Sequence, residues 1–388
     1  MKTFDDISIV WRACRQLHEI IFGAEVEIIG AEQNATPQSR KLIDYLKETL
    51  EGDAGARRMY LIPHGLLAWL PLHAACEDAG AQPDGGIRDF AEASPVYLME
   101  EFEVIYAPSA YFLKMSQERK PLSVAESRAF VVGNPMKVER PLKAAKVEAQ
   151  RATEILNNDG WAVECMLEHD ATKERFLFGG ALGSDPRQHI TGIAAGAYRL
   201  LHLSQHGGID GREFRSFLVF GKQGNESEED HLVFTNEIMG LSLGHTECVV
   251  ASLCLSALTD PTRSEYVGMG AAFMYAGVKT YIGSLWSVED ESTAELISRV
   301  YENRFHRGLN WPEAMRAAQL AMCGKPWADE TAATQVKAAS AKAGEQRQSA
   351  TGPGSAVEKE EFGQKTDDRS SQDYSHPYFW AAFTVSGS

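Results

Sequence analysis

Residues 199–208, RLLHLSQHGG, and residues 247–257, ECVVASLCLSA, are the two stretches on which the fold turns. Each begins as a nearly unbroken apolar run, the pattern of a central strand covered on both faces. Each then breaks into small and polar residues, the first at Ser204-Gln205-His206 followed by Gly207 and Gly208, the second at Cys254. Ligands of open α/β sheets bind at the carboxyl ends of the strands. His206 and Cys254 both fall at that edge.

Further β-rich runs lie on either side: MYLIP from Met59, FEVIYAP from Phe102, AFVVGNP from Ala129, AVECML from Ala162, SFLVFG from Ser216, VKTYIGSL from Val278 and FWAAFTVS from Phe379. Helical spacing of apolar residues occupies 145–157, 171–181, 265–276, 289–305 and 311–323. Strands alternating with helices predict an α/β fold, a mostly parallel sheet flanked by helices in three α-β-α layers. Residues 1–55 read as an N-terminal helical segment and 56–388 as one domain. At about 325–375 the composition turns to Ala, Ser, Gln, Gly, Lys and Glu, the signature of a flexible loop. Because HPYFWAAFTVS follows it, this stretch is expected to be an insertion before a last core strand.

The 388 residues are 44% apolar, enough for a sizeable core. Lys and Arg total 38 against 54 acidic residues, a formal charge of −16, which argues against a nucleic-acid backbone as a direct partner. No apolar run reaches the ~18 residues of a membrane span, and the acidic start does not resemble a signal peptide, so a cytoplasmic protein is expected. The six cysteines are scattered without a CxxC pair, which disfavours a zinc ribbon or a disulfide framework. No metal or cofactor set stands out. His202 lacks clustered companions, Glu228-Glu229-Asp230 lacks the spacing of a calcium loop, and GMGAA at 268–272 lacks the Lys of a phosphate loop.

A thiol becomes a nucleophile when a neighbouring imidazole takes its proton. His206 and Cys254 supply those two groups, and the backbone N–H groups of Gly207 and Cys254 are the natural donors to a developing oxyanion. The same residue types also fit a buried core thiol and a hydrogen-bonded loop histidine.

Taken in order, LLHLSQHGG, VVASLCLSA, EYVGMGAAFMYAGVKTYIGSLWSVEDESTAELISRVY, WPEAMRAAQLAM and HPYFWAAFTVSG resemble the CHAT domain, a caspase-like, separase-related cysteine peptidase unit of clan CD often attached to tetratricopeptide repeats. YLIPHGLLAWLPLHAA at 60–75 and VIYAPSAYFLK at 104–114 resemble its amino-terminal half. The resemblance implies a caspase-like fold, with His206 as the family's catalytic His-Gly and Cys254 as its cysteine. Leu253, Leu255 and Ala257 depart from the usual Ala, Glu and Gly around that cysteine. It further implies that LWSVEDES at 285–292 lines the specificity pocket, with Asp290 as its floor, Trp286 as a wall and Glu289 nearby, a preference for Lys or Arg before the scissile bond, and no cofactor. Glu289, Asp290 and Glu291 equally suit the first turn of a helix, where acidic residues favour the macrodipole.

By the same resemblance the partners are a protein substrate and an activating sensor or repeat-domain protein, in bacterial defence or cell death. Neither nucleic acid nor membrane is expected as a partner. Arg347, Lys359 and Arg369 are plausible self-cleavage positions. A silent interaction scaffold and a thiol-dependent acyl hydrolase or transferase are the alternative readings of the same pair.

Overall fold

The computed structural model describes residues 4–22, 25–28, 38–49, 57–78, 90, 93, 95–118, 127–136, 142–181, 189–195, 198–210, 215–222, 227, 229–253, 256–257, 268–287, 290–325 and 373–387. The central sheet has eight strands: β1 Arg57–Leu61, β2 Phe102–Tyr106, β3 Arg128–Gly133, β4 Ala162–Leu167, β5 Leu200–Ser204, β6 Cys248–Ser252, β7 Thr280–Ser284 and β8 Phe383–Gly387. Their order is β1-β2-β8-β7-β6-β5-β3-β4, and every neighbouring pair is parallel except β7 with β8.

Side chains alternate across the sheet, as strand geometry requires. Ala129, Val131, Leu200, Cys248, Val250 and Ile282 join one core, which also takes in residues of the helices α1 Phe4–Leu17, α2 Lys143–Asn158, α4 Asp290–Tyr301 and α5 Trp311–Met322. Phe130, Val132, Leu201, Leu203, Val249, Ala251 and Tyr281 join the other, with Phe176, Ile238 and Phe273, the last on α3 Met269–Ala276. The architecture is therefore the expected three-layer α-β-α sandwich around a mostly parallel sheet.

Most apolar runs became strands where periodicity placed them, with three differences. SFLVFG forms Arg215–Val219, which leaves the central sheet for a three-stranded antiparallel sheet with Gly207–Asp210 and Leu232–Phe234. FWAAFTVS divides: Pro377–Trp380 is one helical turn capped by His376, whose Nδ1 accepts the Tyr378 N–H at 3.1 Å, and β8 starts only at Phe383. Between α1 and the helix Leu42–Thr49, Glu25–Ile28 pairs antiparallel with Gln38–Lys41, a hairpin that the helical reading of this region did not include. The insertion expected at about 325–375, with Arg347, Lys359 and Arg369, lies outside the described residues except at its two ends.

The strand order carries one functional consequence. From β3 the chain crosses through α2 to β4 on one side, whereas β5, on the other side of β3, leads on to β6. Crossovers that diverge from adjacent strands leave a crevice at their carboxyl ends, which is where ligands of such sheets bind.

Candidate active site

Ser204, Ser252 and Ser284 end the three neighbouring strands β5, β6 and β7. Ser204 is in register with Ser252, and Ala251 with Gly283, so the three serines form a row across the carboxyl edge. By alternation they face the same side as Leu200, Cys248 and Ile282, toward α2 and α4.

A carboxylate from α2 meets this row. Glu148 is 4% exposed and accepts the Ser252 hydroxyl at 3.0 Å. Two residues earlier on β5, His202 is fully buried, with Nδ1 at 2.8 Å from the Tyr301 hydroxyl and Nε2 at 3.4 Å from Glu148 Oε1. Burial pushes the His202 pKa down to about 3, so its imidazole is neutral near pH 7. Gln205 is 1% exposed, and neither its amide nitrogen nor its amide oxygen has a hydrogen-bond partner among the described residues. Glu148, Ser204, Gln205, Ser252, Leu253 and Ser284 line a cavity of about 30 Å³ beneath the edge.

His206 is half-buried and stands where β5 gives way to the antiparallel sheet. Its carbonyl accepts the Val219 N–H at 3.0 Å, and Gly207 is in register with Leu218. A Cβ on Gly208 would lie 2.7 Å from Cζ of Phe217, so a larger residue there would require the Phe217 ring to move. The sequence calls for a tight approach at Gly207-Gly208, and the ring of Phe217 is what approaches.

Cys254, Leu255 and Glu289 lie outside the described residues, and Asp290 opens α4 with its side chain outside them. The residues flanking Cys254 are well anchored. Leu253 carbonyl accepts the Ser284 hydroxyl at 2.6 Å, Ser256 Oγ donates to the Ala251 carbonyl at 3.0 Å and accepts the Ser284 N–H at 2.8 Å, and Ala257 N–H reaches the Ser284 carbonyl at 2.8 Å. Two of the departures from the family pattern have a packing role: Leu253 is buried in the α3-side core, and Ala257 packs with Leu285, Trp69, Ile209 and Trp286. Trp286 follows β7 and donates its indole N–H to the Tyr378 carbonyl at 3.1 Å. Among the described residues no group of three or more His, Cys, Asp or Glu side chains is arranged to hold a metal ion.

The serine row and Glu148 were not singled out in the sequence, although signals for both were present. LLHLS, VVAS and YIGS each end an apolar run in serine. Ala145, Glu148, Ala149 and Ala152 follow the i, i+3, i+4, i+7 spacing of an inward helix face, with a carboxylate in the stripe.

The CHAT domain family model matches residues 36–388. This chain belongs to the CHAT domain family. Among solved structures, the CHAT chain is similar to the Arg-specific cysteine proteinase gingipain R, at 12% identity and TM-score 0.42, covering 74% of this chain and 63% of that one. It is also similar to the Porphyromonas gingivalis complex of RgpB pro- and mature domains, at 12% identity and TM-score 0.42, covering 73% and 63%. The Saccharomyces cerevisiae separase–securin complex matches at 11% identity and TM-score 0.40, covering 73% of this chain and 14% of that one. The CHAT chain thus spans less than two thirds of the gingipain chain and a small part of the separase chain. Among the curated proteins, none matches it.

Proposed function

We propose that this CHAT domain is a cysteine endopeptidase that cuts a partner protein after a basic residue, with His206 as base and Cys254 as nucleophile. The observation that carries the reading is register: Ser204 pairs with Ser252 on adjacent parallel strands, and His206 and Cys254 each follow two residues later. Ser204 and Ser252 end their strands at the edge beside the switch point of the sheet. Elimination adds support. Burial pushes the Cys14 and Cys323 thiols up to about 12 and raises those of Cys165 and Cys248, which leaves four of the other cysteines poor nucleophiles at neutral pH.

In this mechanism His206 takes the thiol proton and the thiolate attacks the scissile carbonyl carbon, while the N–H groups of Gly207 and Cys254 hold the oxyanion. His206 returns the proton to the leaving amine as the C–N bond breaks, giving a thioester on Cys254. Water, deprotonated by His206, then hydrolyses the thioester and releases the acid. Asp290, Glu289 and Trp286 are the specificity residues that the family resemblance supplies. An activating sensor or repeat-domain protein in a bacterial defence system, self-cleavage at Arg347, Lys359 or Arg369, and a cytoplasmic location complete the proposal.

The test is covalent trapping with a lysyl peptide acyloxymethyl ketone, read by intact-mass and peptide mass spectrometry. The expected result is one adduct, on Cys254, absent from Cys254→Ala and formed more slowly by His206→Ala. A wild type that stays unlabelled with its activating partner present, or an adduct on another cysteine, contradicts the reading.

A further inference from the structure

The cavity beneath the strand ends has two kinds of wall. Leu142, Ala145, Leu253 and Phe383 are apolar, whereas Glu148, Gln205, Ser204, Ser252 and Ser284 bring oxygen or amide groups. Gln205 is the informative member. A buried amide ordinarily satisfies both its carbonyl oxygen and its NH₂ group, and leaving them unpaired costs stability. Gln205 is 1% exposed, lines the cavity and has neither end paired among the described residues. Residues that violate local rules at a cleft mark function more often than accident.

We propose that this cavity receives the ammonium group of a substrate lysine, with Glu148 and Gln205 as the residues that select it. The inference rests on the peptidase reading and deepens it, placing the deciding carboxylate on Glu148 of α2 rather than on Asp290, where the family resemblance puts it. The methylene stem of lysine suits the apolar walls, and its head suits the polar ones. An ammonium donates three hydrogen bonds in a tripod, which the Glu148 carboxylate, the Gln205 Oε1 and a serine hydroxyl can accept together.

A guanidinium fits less well. Glu148 Oε2 already holds the Ser252 hydroxyl, so a bidentate fork, which needs both carboxylate oxygens, would have to displace that bond, whereas an ammonium needs only one oxygen.

The experiment uses three fluorogenic peptides that differ only in carrying lysine, arginine or norleucine before the scissile bond. They are assayed with the full chain as wild type, Glu148→Gln and Gln205→Leu. The readout is the lysine-to-norleucine ratio of kcat/KM within each protein, so that a general loss of activity cancels. The wild type is expected to prefer lysine to both others, and each variant to lower the ratio by about tenfold to a hundredfold, the scale of a hydrogen bond to a charged group. Gln205→Leu is expected to melt no lower than wild type, because it removes an unpaired buried amide.

A wild type without lysine preference, or ratios unchanged in both variants, overturns the inference while leaving the peptidase reading in place. If the wild type cuts none of the peptides even with its activating partner present, the peptidase reading has failed, and binding of n-butylammonium by saturation-transfer NMR decides the cavity. Binding that is lost in Gln205→Leu upholds the ammonium site, and absent or unchanged binding overturns it.

Discussion

Ser252 donates its hydroxyl hydrogen to Glu148 at 3.0 Å, tying the end of the strand that leads to Cys254 to the helix between β3 and β4. The bond crosses 104 residues of sequence and is buried at both ends. A buried side-chain pair of this kind fixes strand ends that backbone pairing alone leaves free to fray.

Ser252→Ala is therefore expected to destabilise the fold by about 1–3 kcal/mol, because it leaves a buried carboxylate oxygen without its donor. Urea denaturation monitored by tryptophan fluorescence measures this. A Glu148→Ala variant should lose at least as much, and the two losses should not add, since both remove one bond.

Acid should unfold the protein earlier than its acidic composition alone suggests. Burial pushes His73 and His202 down to about 3 and His376 down to about 4, the last opposed by nearby Asp373. In the unfolded chain each titrates near 6.5, so below that pH the unfolded state binds protons that the folded state refuses. Stability is full above pH 6.5 and falls by about 1.4 kcal/mol per pH unit for each histidine until pH approaches the folded values. Denaturant midpoints between pH 7 and 4 should show this slope, and His202→Asn should make it shallower.

Thiol reactivity offers a third check. The free cysteines Cys14, Cys76, Cys165, Cys248 and Cys323 are buried or half-buried. In a Cys254→Ala background, a thiol reagent such as 5,5′-dithiobis(2-nitrobenzoic acid) should show no fast phase with the native protein at neutral pH and should titrate all five thiols in guanidinium. The wild type should add one fast equivalent. A fast phase in the variant would mean that another thiol is activated.

The fold was legible because its signals are local. The nearly continuous apolar runs RLLHLS and ECVVASL became the fully buried central strands β5 and β6, and α2 and α5 follow their helical spacing closely. What periodicity misses is partnership. The run SFLVFG alternates well enough for a strand but does not say which sheet it joins; it pairs with Gly207–Asp210, Phe217 opposite Gly208. FWAAFTVS shows the limit of reading a single apolar run, since Pro377 and the His376 cap start a helical turn that β propensity opposes.

The site divides the same way. His206 at a strand end followed by glycines is visible in sequence because the transition from apolar to small residues is local. Glu148 is not, because a lone carboxylate on a helix stripe becomes informative only when Ser252 and Gln205, far away in the chain, are found beside the same cavity.

The central claim, that Cys254 is the nucleophile of an endopeptidase, is tested most directly by digesting a diverse peptide library with wild type beside Cys254→Ala and reading the products by mass spectrometry. The account predicts cuts after basic residues in the wild type that disappear in the variant. Cuts that persist in Cys254→Ala, or a wild type that leaves the library intact even with its activating partner present, would contradict it.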